Sequence, residues 1–66
     1  MRVTANGQRF VVEAGTTVAG FIRMRSLDPR YVVVELNGEP LDRARYDETG
    51  LGEGDRLEVV RAVAGG

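Results

Sequence analysis

Cysteine, histidine, lysine and tryptophan are all missing from this 66-residue sequence. Without Cys or His there is no disulfide, no zinc site and none of the usual nucleophile and base pairs. Catalysis within the chain is therefore not expected, no metal is expected, and one small core must hold the fold. No apolar run approaches the length of a membrane span, and Met1-Arg2-Val3-Thr4 opens a strand pattern rather than a signal peptide. No membrane partner is expected, and the cytoplasm is the expected location, with which the lack of Cys agrees. An excess of one charge is also missing. The basic side chains, all Arg, number 9 against 10 Asp plus Glu for a net charge of -1. They alternate with acidic residues from Arg2 to Arg61, leaving no basic stripe for a phosphate backbone, so no nucleic-acid partner is expected. What is there is 42% hydrophobic residues, enough for one minimal core.

Those residues are patterned. Val3 and Ala5 alternate with Arg2 and Thr4, Asn6-Gly7 follows, and then Phe10 and Val12 continue a second alternating run. Asn-Gly is the preferred pair for a type I′ hairpin turn, because both positions need positive φ. Thr16 or Thr17 precedes Val18, Phe21, Ile22 and Met24, whose spacing predicts a hydroxyl-capped helix over residues 18–25, with Gly20 inside it. Asp28-Pro29 breaks that pattern. A β-branched strand is expected over 31–36, then Asn37-Gly38 and a short segment whose Pro40 cannot donate a hydrogen bond and so belongs at a sheet edge. Residues 42–54 read as a surface loop with one helical turn, anchored by Tyr46 and Leu51. The last strand is expected over 56–62.

The order strand, strand, helix, strand, short strand, strand implies an α+β fold, the β-grasp. A mixed sheet of four to five strands has one main helix across one face, and the last strand lies parallel beside the first. Residues 1–62 are expected to form the domain and 63–66 a flexible tail. Met1, Val3, Phe10, Val12, Val34, Leu36, Leu57 and Val59 are expected to face the helix. Arg2, Thr4, Val33, Glu35, Glu58 and Val60 are expected on the opposite face, where Val33 and Val60 are apolar residues turned to solvent. That pair, with Glu58 and Arg61, is the expected docking surface. Arg43 is read equally as a docking residue or as solvated charge, Asp55 as a turn cap, and Tyr46 as an anchor of the loop.

With the usual site motifs missing, the remaining chemistry is at Val63-Ala64-Gly65-Gly66. Glycine has no Cβ, so a tail ending in Gly65-Gly66 fits a narrow channel. Four residues reach at most about 14 Å, enough to carry a terminal carboxylate into a partner's active site.

At this point the sequence resembles the ThiS family of sulfur carriers, which are ubiquitin-like. The resemblance rests on Asn6-Gly7, Gly15-Thr16-Thr17-Val18, Glu35-Leu36-Asn37-Gly38-Glu39, Arg43 with Tyr46 after it, Gly54-Asp55-Arg56-Leu57-Glu58-Val59-Val60, and the closing Gly65-Gly66. It implies that the Gly66 carboxylate is adenylated by a ThiF-like enzyme using ATP, then converted to a thiocarboxylate with sulfur from a cysteine-derived persulfide. A ThiG-like thiazole synthase would take that sulfur for thiamine. Val63, Ala64 and Gly65 would thread the partner's active site, the chain itself would hold no cofactor, and alone it would be a monomer. Carriers for molybdopterin synthesis or tRNA thiolation end the same way, and a ubiquitin-like module with an inert terminus is a reading of a different class.

Overall fold

The protein is described by a computed structural model covering residues 1–62. The expected tail, with Val63, Ala64, Gly65 and Gly66, lies outside the described residues. Strands β1 (Arg2–Ala5) and β2 (Gln8–Val11) pair antiparallel around Asn6-Gly7, which hold φ of 51° and 79°. Helix α1 spans Val18–Met24, followed by β3 (Val32–Leu36), β4 (Glu39–Leu41) and β5 (Arg56–Arg61). The sheet order is β2-β1-β5-β3-β4, with β5 parallel to β1 and every other pair antiparallel. This is the expected β-grasp. The strand with Pro40 lies at the sheet edge, as a residue without an N–H requires.

The helix starts where Thr17 Oγ1 accepts the Gly20 N–H at 3.0 Å. A Cβ on Gly20 would meet that oxygen at 3.3 Å, so the glycine leaves the cap its space. The free N–H groups of Val18 and Ala19 donate to the carbonyls of Thr49 and Tyr46 at 2.9 and 3.0 Å. The long loop thus completes the first turn of the helix. At the other end Ser26 takes a φ of 61° and Leu27 N–H reaches back to Ile22 O at 3.1 Å, a left-handed stop usually given to glycine.

The core is Phe21 and Ile22 of the helix set against Val3, Val34 and Leu57 of the sheet, all at most 2% exposed. Phe10 meets Phe21 edge to face at 5.3 Å. All eight residues expected to face the helix are buried or packed against this core. Met24, expected on the buried stripe of the helix, is instead 58% exposed, and Ala19 is buried in its place. The reason is angular. At about 100° per residue, position 24 adjoins 21 but lies about 140° from the centre of the stripe that 18, 19, 21 and 22 form. Residues 29–31 form a 3₁₀ turn rather than the start of a strand, so β3 begins one residue late.

The loop of residues 42–55 is held by its two expected anchors. Tyr46 is 3% and Leu51 7% exposed. The Tyr46 hydroxyl accepts the Val34 N–H and donates to Val32 O, both at 3.1 Å, where β4 ends with Leu41 opposite Val34. Asp55 accepts from Gly52 N–H at 2.7 Å and from Asn37 Nδ2 at 3.0 Å, closing its own turn as expected. The two turn asparagines do more than turn. Asn6 exchanges side-chain hydrogen bonds with both backbone groups of Val59, at 2.8 and 2.9 Å, and Asn37 Oδ1 accepts the Arg56 N–H at 2.9 Å.

Asp28 caps the 3₁₀ turn. The side chain of Arg30, then its backbone N–H, holds the Asp28 carboxyl at about 2, below its ordinary 3.8. In the unfolded chain this group binds its proton first, so the pair's contribution is complete above pH 3.8 and is lost as pH falls towards 2. Both partners are exposed, so salt screens the pair. Melting curves at stepped pH should show Asp28→Asn below wild type at neutral pH, the gap closing through that window and narrowing at high salt. A gap that ignores pH would assign the loss to the cap alone.

Candidate functional site

Strand alternation in β3 and β5 sends Val32 and Val34 inward and Val33 outward, and Leu57 inward with Glu58 and Val60 outward. The register then decides which of these meet. Val33 stands directly opposite Val60, and Glu35 directly opposite Glu58. Val33 is 49% and Val60 62% exposed. The result is an apolar pair with two carboxylates beside it, on the face away from the helix.

Like charges opposite one another on a sheet disfavour the pairing. The arrangement suits a partner with an apolar contact and basic groups at its rim, which would relieve the repulsion on binding. Three of the four expected docking residues, Val33, Glu58 and Val60, are brought together. Arg61 is not among them. It stands opposite the buried Val32, on the helix side of the sheet, where it borders a groove with Phe10, Phe21, Arg25 and Val59. Glu35 completes the patch. Alternation alone turns it outward, but its place beside Glu58 needs the β3–β5 register. Arg43 reaches inward, its guanidinium 3.4 Å from Val32 O.

Strand β5 links this patch to the end of the described chain, where the Ala62 N–H donates to Tyr31 O at 2.7 Å. The expected sulfur-bearing Gly66 and the threading residues Val63, Ala64 and Gly65 lie beyond it, outside the described residues. Among the described residues no group of three or more Asp or Glu is placed to hold a metal. No helix there is long and apolar enough to cross a membrane.

A five-strand mixed sheet with its last strand parallel beside the first, and one helix laid across it, defines the ubiquitin-like β-grasp class. A family model described as the ThiS family matches residues 1–66, and the chain belongs to that family. The crystal structure of a thiamine biosynthesis protein (ThiS) from Geobacter metallireducens superimposes with a TM-score of 0.83 at 33% identity, covering all of both chains. A solution NMR structure of a thiamine biosynthesis protein from the same organism gives 0.78, also at 33% identity, over all of this chain and 88% of that one. Over 66 residues the chain is also 36% identical to a thiazole synthase of Magnetococcus marinus and 32% identical to one of Paramagnetospirillum magneticum. It spans 20% of the length of each of those two relatives.

Proposed function

We propose that this chain is a sulfur carrier for thiamine thiazole synthesis, with the sulfur held on the Gly66 carboxyl. The observation that carries the reading is the ThiS family match across residues 1–66, which includes Gly65-Gly66. In this reading the Gly66 carboxylate attacks the α-phosphorus of ATP on a ThiF-like adenylating enzyme, and pyrophosphate leaves. The terminal sulfur of a cysteine-derived persulfide then attacks the acyl carbon and displaces AMP. A thiol of the partner system cleaves the S–S bond, leaving a thiocarboxylate whose soft sulfur is nucleophilic. A ThiG-like thiazole synthase receives it. Two thiazole synthases that contain a stretch similar to this whole chain support that class of partner.

The chain acts as carrier rather than enzyme, ATP belonging to the adenylating partner. Its lack of Lys suits the task, because an activated Gly66 meets no internal ε-amine that would capture it. The test is intact mass after incubation with ATP, a ThiF-like enzyme and a sulfur source. A gain equal to the difference between sulfur and oxygen is expected, and it should vanish without ATP. An unchanged mass, with enzyme that loads another carrier in parallel, would sink the reading.

The Val33–Val60 patch is assigned to the adenylating enzyme. Val60→Arg should weaken that complex about tenfold or more, because a cation then occupies the apolar centre of the contact. Since the side chain points to solvent, stability should change by less than about 0.5 kcal/mol. Titration of the folded variant checks this, and unchanged affinity would remove the patch from the interface.

A further inference from the structure

The sheet has a second outward feature, at its other end. Strand β2 is the terminal strand. Its Val11 is 78% exposed, more than any other large hydrophobic residue among those described. The backbone there is also open. Met1 and Val12 exchange hydrogen bonds, the Met1 amino group donating to Val12 O at 2.7 Å and the Val12 N–H to Met1 O at 2.8 Å. In an antiparallel ladder bonded and non-bonded pairs alternate, so Val3–Phe10 and Ala5–Gln8 are bonded pairs, while Arg2–Val11 and Thr4–Arg9 are not. The N–H and C=O of Arg9 and Val11 therefore point away from β1, into the open edge.

The sequence around that edge is self-complementary. Arg9-Phe10-Val11-Val12-Glu13 carries opposite charges equidistant from Val11. Both charged side chains are exposed, and neither forms an ion pair among the described residues. A second strand laid antiparallel about a two-fold axis at Val11 sets Val11 against Val11 and Arg9 against Glu13, the latter twice. Phe10 and Val12 then fall on the helix side, continuing the covered face.

In place of the monomer expected from sequence, we infer that β2 pairs with β2 of a second copy of this chain, making a continuous ten-strand sheet centred on Val11. The two Val11 residues exchange backbone hydrogen bonds, and the two Arg9–Glu13 pairs fix the register. Glu13 O already accepts from Thr16 N–H and Thr16 Oγ1, so the seam is short and the association weak and concentration-dependent. The Val33–Val60 patch, on the second and third strands beyond β2, stays open in the dimer.

Sedimentation velocity of the full chain over a concentration series tests this. The mean mass should rise towards the dimer with concentration and fall with added salt. Arg9→Glu sets carboxylate against carboxylate across the seam, and Glu13→Arg sets guanidinium against guanidinium, so each variant should associate at least about tenfold more weakly. Mixed in equal amounts, the two should form a heterodimer, since opposite charges then meet at both ends. The double exchange Arg9→Glu with Glu13→Arg should restore self-association. Circular dichroism confirms that each variant is folded. A wild type that stays monomeric at every concentration would overturn the inference, as would a dimer indifferent to both single variants.

Discussion

Tyr46→Phe should lower stability by about 2 kcal/mol, which for a domain of this size is a fall in melting temperature of about 10 °C. The ring is buried and Phe keeps its packing, so the substitution isolates the hydroxyl. That oxygen takes the Val34 N–H and gives a hydrogen bond to Val32 O, bonding to β3 where β4 ends. Removing it takes that acceptor from the buried Val34 N–H and leaves Val32 O with only the longer bond from Arg43, which costs more than a bond lost to water. A domain this small has a net stability of only a few kcal/mol, so a visible unfolded fraction is expected on warming. Thermal and urea melts check the value. No change in either would mean that water reaches the edge of β3 and replaces the hydroxyl.

The largest functional effect is expected at Gly65. Gly65→Ala should slow adenylation sharply and Gly65→Val nearly abolish it, with melting temperatures at the wild-type value. The reason is steric: within the proposed carrier reading, residues 63–66 pass through a partner's channel, and each added carbon obstructs it or restricts the backbone. In that reading Gly65 acts in the partner's channel and not in the core of this chain, so its substitution should leave melting unchanged. Pyrophosphate release with one adenylating enzyme, measured beside a melt, separates the two. Wild-type rates for both variants would remove the tail's physical role. Loss of melting temperature in step with rate would instead make Gly65 part of the fold.

The turns, the helix cap and the alternation of the strands were legible because their causes act within a few residues. Asn6-Gly7 and Asn37-Gly38 accept positive φ, Thr17 offers an oxygen to the helix start, Pro29 disfavours helix before it, and a period of two assigns Val33 and Val60 to one face. Even the β-grasp follows, since a helix after a hairpin must cover one face of the sheet. Met24 misled for a local reason, because loose three-and-four spacing hides an angle that strict helical geometry reveals. Other features depended on partners distant in the chain. The β3–β5 register set Val33 against Val60 and Glu35 against Glu58, whereas the place of Arg61 on the helix side follows from alternation alone, since it adjoins the outward Val60 in β5. It took the folded sheet to bring Asn6 beside Val59, to seat the Tyr46 hydroxyl on β3, and to leave β2 with an open edge. Hydrogen-bond partners and strand neighbours are chosen by the burial of the whole apolar pattern at once, a condition that no short stretch of the chain contains.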